Sequence, residues 1–143
     1  MSMKTQGGCL CGRIRFEVSG EPLHSIICHC KTCRVASAAP SVAWLTFERE
    51  RVVVLAGAPR AFASSPGVVR TFCADCGTPL SYTSERDPKT IDITTLAMDD
   101  PERFPPSREM WLDHRLAWET PNASLTAYPR DRGRAGSSGC TPQ

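Results

Sequence analysis

The 143-residue chain has no apolar run long enough to span a bilayer, and Met1 to Gln6 reach Gly7-Gly8-Cys9 without the apolar stretch of a secretory leader. These absences predict a reducing, cytoplasmic setting with no membrane partner. A basic block is missing too. Seventeen Lys and Arg against 15 Asp and Glu leave a formal charge of +2 with the signs interspersed, which weighs against a nucleic-acid footprint. Extended helical periodicity is also sparse.

What the chain does have is cysteine. Seven of its 8 cysteines fall in three clusters: Cys9-Leu10-Cys11, Cys28-His29-Cys30-Lys31-Thr32-Cys33 and Cys73-Ala74-Asp75-Cys76. A disulfide framework requires an oxidising compartment, whereas CxC and CxxC spacings let thiolates converge on one ion. Seven thiolates and two Zn²⁺ would take the formal charge from +2 to −1, so the nominal basicity is weak evidence for any anionic partner.

The length suits one domain. Residues 1–6 read as an N-terminal extension, 7–129 as the zinc-binding domain and 130–143 as a disordered tail rich in glycine, serine and threonine. Cys140, in that tail, is not assigned as a ligand. Ile14, Phe16 and Val18 alternate with Arg13, Arg15 and Glu17, as on a half-buried strand. Further strands are predicted over 23–28, 41–47, 51–55, 60–63, 68–72, 79–83, 90–96 and 109–112. A helical turn is expected over 31–37, stopped by Pro40, with another in 99–106. Glu48-Arg49-Glu50-Arg51 reads as a solvated turn. Trp44, Phe62, Phe72, Tyr82, Trp111 and Trp118 are core candidates. Many short strands with little helix give a mainly β domain.

The donor count divides the cysteines by role. Cys9, Cys11, Cys73 and Cys76 complete a tetrahedron around zinc without water, so that ion is structural. Gly12 and Gly77 follow the two pairs and let the backbone turn beside the ligands. Cys28, Cys30 and Cys33 supply three donors and leave a fourth position, where zinc would favour the ionised form of an incoming thiol. The alternative is a second closed site or three free thiols. His29 projects between ligand residues and reads as a packing or supporting side chain. Lys31 and Arg34 are candidates to attract a carboxylate-bearing thiol, and the Ser64-Ser65-Pro66-Gly67 loop is a candidate pocket wall.

With its Gly7-Gly8-Cys9-Leu10-Cys11-Gly12, Cys28-His29-Cys30-Lys31-Thr32-Cys33-Arg34, Phe62-Ala63-Ser64-Ser65 and Arg70-to-Leu80 blocks, the chain resembles the glutathione-dependent formaldehyde-activating enzyme (GFA) family, which is related to centromere protein V. The resemblance runs from about Gly7 to Trp118. It implies an Mss4-like fold of short antiparallel sheets stabilised by zinc. It also implies two ions, a structural one on Cys9, Cys11, Cys73 and Cys76 and a catalytic one on Cys28, Cys30 and Cys33. The implied activity is a carbon–sulfur lyase that forms or cleaves S-hydroxymethylglutathione. A thiolate attacks the aldehyde carbon and a proton donor neutralises the alkoxide.

The chain departs from the family pattern at Glu109-Met110-Trp111, where histidine commonly stands two residues before the tryptophan. Nor does the small, apolar stretch from Val35 to Pro40 offer an obvious glutathione clamp. The leading expectation is thus a zinc-dependent lyase for a small thiol–aldehyde adduct. The alternative is a non-enzymatic, zinc-stabilised binding or scaffold domain.

Overall fold

The structure is a computed structural model and describes residues 2–131. In chain order its strands are β1 (Lys4–Gly8), β2 (Arg15–Ser19), β3 (His24–Cys28), β4 (Val42–Glu48), β5 (Val52–Ala56), β6 (Arg60–Ser65), β7 (Val68–Phe72), β8 (Pro79–Ser84), β9 (Thr90–Thr94), β10 (Arg108–Met110) and β11 (Thr126–Ala127). One α-helix, α1 (Lys31–Ser37), follows β3. The expectation of a mainly β domain is met.

Two sheets form. A small antiparallel sheet runs β1-β2-β5, and a larger one runs β11-β10-β3-β4-β9-β8-β7-β6. The expected antiparallel pairing holds from β3 through to β6, but β10 lies parallel to both β3 and β11. A parallel neighbour requires the chain to cross back rather than turn in a hairpin. The segment from Thr95 to Ser107, with 3-10 turns at Thr95–Ala97 and Pro101–Arg103, makes that return.

β4 shows how the sequence builds two cores. Side chains alternate across a strand, so Val42 and Trp44 point to one face while Leu45 and Phe47 point to the other. Leu45 and Phe47 join Ile14, Phe16 and Val18, the predicted inward row of β2, together with Cys9 and Cys73. Val42 and Trp44 instead join Tyr82, Met110, Trp111 and the three middle cysteines. Each cysteine constellation therefore has its own apolar surroundings.

Several sequence expectations need adjustment. Lys4 to Gln6, read as part of an extension, pair with β2 as the first residues of β1. The late strand read at 109–112 ends at Met110 because Trp111 turns into the left-handed region at φ 60°. Phe62 and Trp118 are not core residues: Phe62 stands on the open edge strand β6, and Trp118 follows the 3-10 turn Leu112–His114 at the surface. At the start of the proposed tail, the Arg130 carbonyl accepts a hydrogen bond from the Trp111 N–H. The rest of that tail, with Cys140, lies outside the described residues.

Candidate metal centres

Cys9 and Cys11 lie in the β1–β2 connection and Cys73 and Cys76 in the β7–β8 connection, so this cluster ties the small sheet to the large one. Its four sulfurs all lie within 4.8 Å of one another. A tetrahedral ion with Zn–S of about 2.3 Å sets neighbouring sulfurs about 3.8 Å apart. The Cys9–Cys11 and Cys11–Cys73 separations are 3.5 and 3.8 Å, so the donor set fits zinc in size and softness. None of the seven clustered cysteines is in a disulfide.

The two loops are built alike. The Ile14 N–H donates to Cys9 Sγ at 3.3 Å and the Cys76 N–H to Cys73 Sγ at 3.5 Å. Gly12 and Gly77 both adopt φ 79°, a conformation that costs a residue with a Cβ but not glycine. The Leu10 N–H donates to Thr78 Oγ1, and Arg13 pairs with Asp75, linking the loops outside the sulfurs.

Electrostatics show why this cluster calls for a cation. The Thr78 hydroxyl, then the Thr78 and Cys11 amides, pull the Cys76 thiol down to about 5. At Cys11 the Arg13 amide acts in the same direction but is outweighed by the Cys9 sulfur, burial and the other two cysteines, and the thiol is pushed up to about 12. Four thiolates so close repel one another, and a dication removes that penalty.

The middle cluster sits where β3 runs into α1. Cys28 ends the strand, Cys30 caps the helix and Cys33 lies in its first turn, with the Cys33 N–H donating to Cys30 Sγ at 3.3 Å. Their sulfurs also lie within 4.8 Å of one another and are buried, a second soft set of the right size but with three donors. Ala38 closes the helix in the left-handed region ahead of Pro40, as the sequence predicted a short helix would.

A pocket of about 630 Å³ adjoins this cluster. Two of its wall residues touch the cysteines directly. Thr32 Oγ1 is 3.3 Å from Cys30 Sγ, and the terminal nitrogens of Arg70 are 3.8 and 3.7 Å from Cys33 Sγ. Arg70 Nε also donates to Ser64 Oγ at 3.2 Å, Nη2 reaches Thr32 Oγ1 at 3.5 Å, and the guanidinium lies 5.0 Å above the Tyr82 ring. Of the predicted pocket residues, Ser64 and Lys31 line the cavity. Arg34 turns away and donates to the His29 carbonyl.

Residues 4–114 match the model of the glutathione-dependent formaldehyde-activating enzyme family. The chain belongs to that family. It is 33% identical over 89 residues to an uncharacterised lyase of Schizosaccharomyces pombe, a match covering 61% of this chain and 64% of that protein. The crystal structure of a Rhodobacter sphaeroides protein superposes with a TM-score of 0.57 at 18% identity, covering 86% of this chain and 98% of that one, which supports the fold alone.

In this GFA-family chain the departure at Glu109 acquires a partner. His29 Nε2 lies 3.0 Å from Glu109 Oε1, and both side chains are buried. The second carboxylate oxygen accepts the Asn122 N–H at 2.8 Å, while the His29 N–H donates to the Met110 carbonyl. His29 thus supports the ligand loop, in line with its reading as a packing residue. Sequence reasoning did not single out Arg70 as a site residue. Its buried cation on a strand was the available signal, and only the β7 position relative to α1 gives it meaning.

Proposed function

We propose that this chain is a zinc-dependent carbon–sulfur lyase that forms or cleaves a small thiol–aldehyde adduct, with glutathione and formaldehyde as the first pair to test. The observation that carries the reading is the contrast between the clusters: four donors tie the sheets together, while three donors stand behind a pocket. Cys9, Cys11, Cys73 and Cys76 would hold a structural zinc and Cys28, Cys30 and Cys33 a catalytic one. Zinc at the second site would supply Lewis acidity that favours ionised sulfur at neutral pH.

The reaction needs few protein groups. The thiol sulfur bonds to the aldehyde carbon, the C=O π pair moves onto oxygen, and the proton lost from sulfur ends on that oxygen. Cleavage reverses each movement. Arg70, held by Ser64 and Thr32 beside Cys33, would attract negative charge developing on the reacting oxygen. Thiolate ligands also suit a reducing compartment such as the cytoplasm. No helix among the described residues is long and apolar enough to cross a membrane.

The test is exchange spectroscopy on freshly reduced, zinc-replete protein with glutathione and formaldehyde. Adduct exchange above the uncatalysed rate supports the proposal. Its absence from a protein carrying two zinc ions sinks this substrate pair. A single ion, with folding unaffected when the middle cluster is disrupted, favours the scaffold alternative.

A further inference from the structure

The chain has 8 cysteines, the number that would complete two tetrahedral thiolate sites. The outer set accounts for Cys9, Cys11, Cys73 and Cys76. Among the described residues no fourth cysteine, histidine, aspartate or glutamate atom joins Cys28, Cys30 and Cys33. Cys140 is the cysteine left over. It lies outside the described residues, which end beside the incomplete set.

Tyr128 packs against the core that holds the three middle cysteines and Trp111. Its N–H donates to the Glu109 carbonyl at 2.9 Å, and the Arg130 carbonyl accepts the Trp111 N–H at 3.0 Å. Arg130 also pairs with Asp113. The chain is thus held against the middle cluster as far as Arg130. An extended chain advances about 3.3 Å per residue, so Cys140 reaches up to about 30 Å from Asp131. A domain of this size has a radius of gyration of about 14 Å, and the open side of the three-cysteine set lies within that reach.

A sulfur tethered this way competes well against water. Thiolate is the soft donor that a zinc site of three thiolates favours, and a short tether sets an effective concentration in the millimolar range. The outer set, with four donors, has no position to offer it. We propose that Cys140 is the fourth donor of the middle metal site and that a substrate thiol enters by displacing it. The exchange balances: the incoming thiol gives up its proton and its sulfur takes the position, while the Cys140 sulfur leaves as thiolate and takes up a proton. The site is therefore closed at low thiol and opened by thiols in the millimolar range. This rests on the reading of the middle cluster as a zinc site for a substrate thiol, and its test needs no aldehyde.

The experiment is cobalt substitution of the full chain, read by sulfur-to-Co²⁺ charge-transfer absorption. Cys140→Ser removes the intensity of one Co–S bond, and added 2-mercaptoethanol restores it. That thiol binds the variant about tenfold more tightly than the native chain, because no tethered sulfur competes. In the zinc-loaded native chain Cys140 resists alkylation by iodoacetamide, followed by peptide mass, and reacts once a chelator is added. The alkylation readout uses the native chain, so a folding effect of the substitution does not shield the proposal. Spectra and thiol affinity indifferent to Cys140→Ser overturn the assignment, as does a Cys140 alkylated equally fast with and without metal. A fourth Co–S bond that disappears on dilution also overturns it, since that sulfur comes from another copy. Aldehyde exchange in a chain indifferent to Cys140→Ser sinks the assignment and keeps the lyase reading. Cys140 ligation without exchange in either chain does the reverse, and a middle cluster that takes up no metal overturns both.

Discussion

Both terminal nitrogens of Arg70 face the Cys33 sulfur, at 3.8 and 3.7 Å, from a side chain that is itself buried. Three thiolates with one Zn²⁺ would carry a net charge of −1, which this guanidinium would offset. Arg70→Gln is expected to weaken metal retention at the middle cluster by about ten- to a hundredfold and leave the four-cysteine cluster unchanged. Chelator competition measures the affinity, and sulfur-to-Co²⁺ charge-transfer bands report the change at the thiolates. Identical metal affinity and spectra would show that the contact has no electronic role.

The four-cysteine cluster joins two sheets, so its loss should be felt throughout the fold. Cys73→Ser is expected to remove one ion and several kcal/mol of stability, as metal binding energy is folding energy in such sites. Circular dichroism through a thermal or urea transition, with metal counting, checks this. Full stability with one ion fewer would contradict the clamp.

Proton release tests the electrostatics of that cluster. The Cys76 thiol, held down to about 5 chiefly by the Thr78 hydroxyl, favours the folded state above the ordinary thiol value of 9.0 and loses that contribution as pH falls toward 5. Cys11, pushed up to about 12, does the opposite: its contribution is complete below 9.0 and disappears as pH rises through 12. At pH 7 a folded, metal-free cluster therefore already holds a thiolate at Cys76 and a thiol at Cys11. Zinc uptake by a chain with the middle cluster disabled is expected to release fewer than four protons, measured with an indicator in weak buffer. Release of all four would contradict this charge distribution.

The His29–Glu109 pair predicts a difference between two substitutions. Glu109→Ala leaves a buried His29 and the Asn122 amide without their acceptor and should cost about 3 kcal/mol or more. Glu109→Gln keeps one acceptor oxygen in the place of two and nearly the same volume, and should cost less. Urea denaturation of the two variants makes the comparison, and equal losses would contradict this ordering.

What the sequence revealed was mostly local. CxC and CxxC bring sulfurs together within a few residues, so the three clusters were readable at once, while joining Cys9 and Cys11 to Cys73 and Cys76 across 62 residues rested on the count of donors. Pro40 made the length of α1 legible in the same way, and the alternation of Ile14, Phe16 and Val18 correctly marked the buried face of β2. The supporting shell was not local. Arg70 is 37 residues from Cys33, and Glu109 is 80 from His29; both contacts depend on strand placement. The parallel pairing of β10 with β3 creates the second contact, and no turn signal announces such a crossover. Phe62 misled because an aromatic on an open edge strand can line a pocket as readily as a core.

The central claim is that the middle cluster carries chemistry while the outer cluster carries structure. The most direct measurement is zinc stoichiometry and thiol–aldehyde exchange on the same samples of the native chain and Cys30→Ser. The account predicts two ions and exchange above background in the native protein. In the variant it predicts one ion on Cys9, Cys11, Cys73 and Cys76, a preserved fold and no catalysed exchange. Undiminished exchange in a variant that has lost the middle ion would contradict it.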